Sequence, residues 1–255
     1  MKNKQNKELA VCGLAAVQAL AEHSPQKITR FYYMAERSRL FGDLCKTLAA
    51  RKAPYNQVAH EDELKKLSGT VHHQGVVAMI NMPEIEHLSP VYINGLLTRN
   101  ESALLLDHVG NANNFGAIIR SAAFFGIKNI IIPMDEAQST ITTSSYRIAE
   151  GGMEHVRVFG VRSIPELLEE VRGKMLRLGT DVHGTTHIED IPTLDVQKPL
   201  LVVLGNEENG ISQAVKARCD YLITISTPVH ILDSLNVAQA AAVILYEMSK
   251  SAKQN

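Results

Sequence analysis

Along the first third of the chain, apolar positions recur at helical spacing in some stretches and alternate with polar ones in others. Residues 9–22 read as a helix, and Ile28-Thr29-Arg30-Phe31-Tyr32-Tyr33, rich in β-branched and aromatic residues, reads as a strand. Ser38 to Arg51 reads as a helix with Leu40, Leu44, Thr47 and Leu48 on one face. A short strand follows at Asn56–His60, then a short helix at Glu61–Ser68 and a strand at Gly75–Ile80. Together these predict a small α/β sandwich. Met82 to Pro90, with two prolines and little periodicity, reads as a linker, and residues 91–97 are compatible with a helix. Beyond it the pattern changes to uninterrupted apolar runs: Ala103–Asp107, Asn129–Pro133, Leu200–Leu204 and Leu222–Ile225. Such runs suit strands buried on both faces. Helices are predicted between them, from Asn114 to just before Gly126, at Pro165–Leu178 and at Ser234–Ser249. The alternation predicts an α/β domain with a parallel sheet covered by helices on both faces.

Composition narrows the class without naming it. The 255 residues are 45% hydrophobic and 21% charged, and no apolar run reaches the length of a membrane span. The apolar stretch near the start is interrupted by Gly13 and Gln18, which favours an amphipathic helix over a signal peptide. Cys12, Cys45 and Cys219 form neither a metal spacing nor a disulfide framework and point to the cytoplasm. The net charge is −1 but unevenly spread. Residues 1–82 carry 12 Lys and Arg against 7 Asp and Glu, and the remainder carries 14 against 20. A basic front half suits RNA capture, and a solvated charged face explains it equally well.

Several chemistries are absent. No G-x-G-x-x-G follows Asp107 and there is no P-loop, which weakens a nicotinamide or NTPase reading. His72 and His73 are adjacent, so on a strand their rings would diverge and could not share one ion; no metal is expected. The most informative segment is Asn114-Phe115-Gly116-Ala117-Ile118-Ile119-Arg120-Ser121-Ala122-Ala123, which sets an arginine in an almost wholly apolar helix. A partly buried arginine needs a partner or a task, because it cannot shed its charge. Two further segments stand out, Leu204-Gly205-Asn206-Glu207-Glu208-Asn209-Gly210 and Ser234-Leu235-Asn236-Val237-Ala238.

In this order and at these separations, the three segments resemble the motifs of the SpoU/TrmH family, the knotted RNA ribose 2′-O-methyltransferases. Ala149-Glu150-Gly151-Gly152 is close to a small-residue turn of that family. Ser68 to Val76 is similar to the end of the L30e-like domain that many members carry. The resemblance implies three parts: an L30e-like RNA substrate-binding domain over residues 1–82, a linker over 83–98, and a SpoU-type methyltransferase domain with a deep trefoil knot over 99–255. It implies S-adenosylmethionine as cofactor, held near Leu204, Gly205, Asn206, Gly210, Ile225 and Leu235, with the glycine allowing the main chain close to the ligand. It gives Arg120 the task of activating the ribose hydroxyl. Asn114 would fix the substrate or the arginine, Glu207 would pair with an arginine or order the cofactor loop, and Ser234 with Asn236 would complete the site. Asn114 and Ser234 also read as helix N-caps. The implied partners are tRNA or rRNA and a second copy of the chain, bound through the knotted domain.

The chemistry of these residues agrees with what the resemblance implies. A ribose hydroxyl is a poor nucleophile, and methyl transfer from a sulfonium requires it deprotonated and held in line. Arg120 suits either the developing alkoxide or an RNA phosphate. The chain departs from the family pattern at Glu208, where glycine is common. It departs again at Ser226–Asp233, which lacks the glycine-bearing run that forms part of the cofactor pocket in relatives. These departures motivate an alternative, an RNA-binding protein with the same fold and weak or no methyl transfer.

Overall fold

The computed structural model describes residues 8–251 except 136, 195, 196, 228–230, 232 and 233. The chain divides into two compact units. One comprises the residues through Glu84 together with Thr140–His155, and the other comprises Ile85–Ser139 and the residues from Val156 onward.

The first unit holds β1 (Glu8–Cys12), α1 (Leu14–His23), β2 (Ile28–Met34), α2 (Gly42–Ala50), β3 (Tyr55–Val58), α3 (Glu61–Ser68) and β4 (Val76–Asn81). Its sheet runs β1-β4-β2-β3, with β1 and β2 antiparallel to β4 and β3 parallel to β2. The single helix expected over residues 9–22 is instead a strand followed by a helix. Leu9–Cys12 are buried and pair with β4. Gly13 then takes φ 91°, a left-handed conformation that interrupts any helix, and Gln74 Oε1 accepts from the Leu14 N–H at 2.6 Å. The helix expected from Ser38 is a 3₁₀ stretch through Phe41, and α2 begins at Gly42. His72 and His73 occupy a turn rather than a strand. His73 is buried, and its Nδ1 accepts from the Gly75 N–H at 3.2 Å.

Thr140–His155 also packs in this unit, with a short helix at Thr143–Ile148 whose capping box pairs Thr142 with Ser145. Glu154 is the centre of this packing. It accepts from the Tyr146 hydroxyl and from Lys27 Nζ at 2.9 Å. Burial pushes its carboxyl pKa up, and hydrogen bonds from Ser24, Tyr146 and Lys27 outweigh that and leave it lowered. Gly151, at φ 94°, lies so close to Ala19 that an added Cβ would come within 2.7 Å of its methyl.

The second unit holds β5 (Glu86–His87), α4 (Pro90–Thr98), β6 (Ala103–Asp107), α5 (Ala112–Phe124), β7 (Asn129–Pro133), β8 (Arg157–Val161), α6 (Ile164–Glu170), β9 (Leu176–Thr180), β10 (Thr186–His187), β11 (Leu200–Gly205), α7 (Gln213–Lys216), β12 (Tyr221–Thr224) and α8 (Val237–Ser251). The expected linker at 83–98 therefore carries β5 and α4. Ser89 caps α4 by accepting from the Tyr92 N–H at 3.3 Å.

Eight strands form one parallel sheet in the order β10-β12-β9-β11-β6-β7-β8-β5. Leu105, Ile131, Phe159, Leu168, Leu201 and Val203 share one buried cluster, while α5 and α8 pack against each other. The helix expected over Pro165–Leu178 ends at Glu170. Gly173, at φ 72°, turns the chain, and Leu176–Thr180 form β9 between β11 and β12. Arg177 on β9 is buried; its guanidinium donates to Asp220 at 2.6 and 3.0 Å and to the Leu168 carbonyl at 3.0 Å.

Candidate active site

The strand order reverses between β6 and β11. From β6 the chain proceeds to β7 on one side, while β11, β9 and β12 lie on the other. In open parallel sheets such a reversal leaves a crevice at the carboxyl ends of the strands. Asp107 at the end of β6 stands in register with Gly205 at the end of β11.

The loop after Gly205 closes on itself. The Asn206 N–H donates to the Gly210 carbonyl at 3.2 Å, and the Gly210 N–H returns a bond to the Asn206 carbonyl at 2.9 Å. Asn206 Oδ1 accepts from the N–H groups of Glu208 (2.9 Å) and Asn209 (3.3 Å), and its Nδ2 donates to the His108 carbonyl at 2.9 Å. Gly205 is forced by this closure. A Cβ there would lie 2.3 Å from the Gly210 carbonyl carbon and 2.4 Å from the Ile211 nitrogen. The close approach expected toward a ligand is thus an approach of the chain to itself. Glu208, the residue that departs from the family pattern, is exposed.

Asn114 is not the helix cap. Asn111 is, with Oδ1 accepting from the N–H groups of Asn113 (2.8 Å) and Asn114 (3.4 Å), so α5 begins two residues before Asn114. This frees the Asn114 side chain. Its Nδ2 donates to Glu207 Oε1, and its Oδ1 accepts from Asn236 Nδ2 at 3.1 Å. The carboxylate accepts only, which fixes the orientation of the amide. Asn236 also receives the Ala238 N–H on Oδ1 at 3.0 Å and caps α8, the part expected of Ser234. A chain of three side chains, Glu207–Asn114–Asn236, thereby joins segments 93 and 122 residues apart. Ser234 and Leu235 are exposed beside it. Ile225, one residue past β12, is half-buried, and part of the altered Ser226–Asp233 run lies outside the described residues.

Arg120 differs from its expectation. The buried residues of α5 are Phe115, Gly116, Ile118, Ile119 and Ala122, and Arg120 is exposed. Six residues at helical pitch place it about 120° around the axis from Asn114. It shares its face with Phe124, a turn further on, which is 82% exposed. Its exposure spares it the desolvation cost of a buried arginine.

One residue of the site escaped the sequence reading. His108 sits at φ 61°, with Nδ1 2.5 Å from Asp107 Oδ1 and Nε2 2.8 Å from Asp135 Oδ2. Burial lowers its pKa, and the two carboxylates outweigh that and raise it above the ordinary histidine value. Asp107, itself buried, also accepts from the Ser212 N–H at 3.3 Å through Oδ2. The adjacent Asp-His pair at a strand end was the available signal; the proximity of Asp135 was not. Among the described residues, no group of three His, Cys, Asp or Glu side chains is placed to hold a metal ion, and no helix is long and apolar enough to cross a membrane.

Comparison with known proteins places this geometry in context. Residues 101–246 match the family model described as the SpoU rRNA methylase family, and residues 10–86 match one described as RNA 2′-O ribose methyltransferase substrate binding. An uncharacterized tRNA/rRNA methyltransferase of Haemophilus influenzae is 31% identical over 96% of this chain and 67% of its own. The 23S rRNA (guanosine-2′-O-)-methyltransferase RlmB of Acinetobacter baylyi is 31% identical over 92% of this chain and 94% of its own. Among solved structures, the SpoU methyltransferase AviRb from Streptomyces viridochromogenes, in complex with AdoMet, superimposes with a TM-score of 0.74. It is 26% identical, and the match covers 100% of this chain and 94% of that one.

Proposed function

The chain belongs to the SpoU rRNA methylase family, and on that premise we propose that it transfers a methyl group from S-adenosylmethionine to a ribose 2′-hydroxyl of ribosomal or transfer RNA. The observation that carries this reading is the Glu207–Asn114–Asn236 chain at the reversal of strand order. The residues there fit the cofactor. Leu235 and Ile225 retain accessible apolar surface for a base, and the exposed loop at 207–210 offers main-chain donors and acceptors for its edges. Leu204, Gly205, Asn206 and Gly210 would hold the cofactor from the end of β11. When bound, S-adenosylmethionine supplies an electrophilic methyl group on a sulfonium.

The remaining tasks fall to the protein's own side chains. Asn114, fixed at both ends of its amide, orients the substrate side of the crevice, and Glu207 holds the cofactor loop to α5. Arg120 is an accessible, permanently charged fork suited to an RNA phosphate and to the negative charge that develops on the ribose oxygen. Ser234 stands at the mouth of the site. The 2′-O-ribose specificity of the RlmB relative and the substrate-binding match over residues 10–86 support RNA as the substrate. Exposed Phe124 and Tyr246, at the C-terminal part of α5 and in α8, support a second copy of the chain as the cover of that face. A trefoil knot in the C-terminal half and a cytoplasmic location complete the reading.

Methyl transfer to RNA, followed with labelled cofactor, tests the assignment. Arg120→Ala is expected to abolish transfer while leaving the circular dichroism spectrum unchanged, because the side chain lies outside the buried core of its own chain. Undiminished transfer in that variant would remove Arg120 from the chemistry.

A further inference from the structure

We infer that His108 is a positioning residue for the cofactor loop: its ring ties the end of β6 to the segment after β7, and its carbonyl thereby holds Asn206. The inference rests on the reading of residues 204–210 as the cofactor loop. Three contacts converge on this one residue. Nδ1 meets Asp107 Oδ1 at 2.5 Å, Nε2 meets Asp135 Oδ2 at 2.8 Å, and the main-chain oxygen receives Asn206 Nδ2 at 2.9 Å. Each carboxylate can only accept, so a ring that donates to both carries two protons and a positive charge.

The backbone adds to the case. His108 sits in the left-handed region, which few non-glycine residues occupy without support from their surroundings. In that conformation its ring and its carbonyl both meet their partners. Among the described residues, the charged groups bonded to the ring are Asp107 on β6 and Asp135 beyond β7; from the loop after β11 comes the neutral amide of Asn206. While the ring is charged, the clamp is closed. Loss of one proton turns a nitrogen lone pair toward a carboxylate, so the clamp weakens as the pH rises through the raised histidine value. The neighbouring residue is held independently. Gln138 Oε1 accepts from the Val109 N–H at 2.9 Å and Gln138 Nε2 donates to the Val109 carbonyl at 3.1 Å, so removing the ring loosens the loop without unfolding it.

The test compares the wild type with His108→Asn. Asparagine tolerates the left-handed backbone and does not titrate. Both proteins are titrated calorimetrically with S-adenosylmethionine and with its demethylated product, from about pH 6 to about pH 9, a range that brackets the ordinary histidine value. The ligand's own amino group titrates as well, so the quantity read is the ratio of the two proteins' affinities. At the acid end the wild type is expected to bind about tenfold more tightly, and the ratio is expected to close toward one as the pH rises. In parallel, the His108 ring resonances of the cofactor-free wild type are followed by NMR and are expected to titrate above the ordinary value. Equal affinities at every pH overturn the inference and leave the cofactor assignment standing. A ring that titrates below the ordinary value overturns the clamp whatever the binding result. No binding by the wild type overturns the cofactor assignment, and the inference falls with it.

Discussion

A methyl group added at Gly205 would have to occupy space already filled by the main chain of Gly210 and Ile211. Neither neighbour is the end of a flexible side chain, so the loop itself would have to open. Gly205→Ala is therefore expected to destabilise the protein by about 1–3 kcal/mol, the range of overpacked sites, and to abolish cofactor binding. A urea midpoint shift with binding retained would show that the loop closes some other way. Asn114 teaches a different lesson at the same scale. Sequence reads it as part of a motif and as the cap, and the cap belongs to Asn111 three residues earlier. Asn111, Asn113 and Asn114 are all good caps by residue type; Asn111 takes the cap, and the amide of Asn114 meets the carboxylate of Glu207, 93 residues away. The exposure of Arg120 was not legible, because helical spacing shows which positions are apolar and not how far the buried face wraps.

Among elements, the strands that sequence located best are those buried on both faces. Ala103–Asp107, Asn129–Pro133 and Leu200–Gly205 need no alternation, and their apolar runs are short enough to exclude helices. Sequence pattern and structure part where one helical period runs through two elements. Leu167, Leu168, Val171, Met175 and Leu178 keep helical spacing across the turn at Gly173, so β9 was absorbed into α6. In β8 a glycine at position 160 interrupts an already short apolar pattern. The elements are then locked by polar contacts that have no sequence signature. Arg177 and Asp220 join β9 to the residue before β12 with paired hydrogen bonds. Burial raises the Asp220 pKa, and the guanidinium outweighs this and lowers it. A lowered folded-state value means the stability is fully present above the unfolded aspartate value of about 3.9 and is lost as the pH falls through the folded one. Asp220→Asn is expected to cost about 2 kcal/mol at neutral pH, with the gap to the wild type closing below about pH 4. Parallel urea midpoints that keep their separation into acid would contradict this account.

For the whole molecule, the informative segment is Thr140–His155, which lies within the span matched by the methylase family model yet packs with the first unit. Its resemblance to a small-residue turn was legible; its packing partners, β1 and α1, were not, because they lie more than a hundred residues earlier. Glu154 is the polar centre that fastens it, through Tyr146, Lys27 and Ser24. Glu154→Gln is expected to weaken that fastening by about 1–3 kcal/mol, since the replacement leaves buried donors less well matched. Hydrogen exchange would report it as faster exchange at residues 140–155 and in α1, with the strands of the second unit unaffected. Uniform acceleration across the chain would show a global loss of stability instead.

Because of this excursion the polypeptide passes between its two units three times, after Glu84, after Ser139 and after His155. A gene fusion that grafts the front portion of one relative onto the rear of another at a single junction would separate the first unit from sixteen of its own residues. Any recombination that trades the first unit of this chain for another must carry a matching internal cassette along with the leading one, which takes three crossovers rather than one.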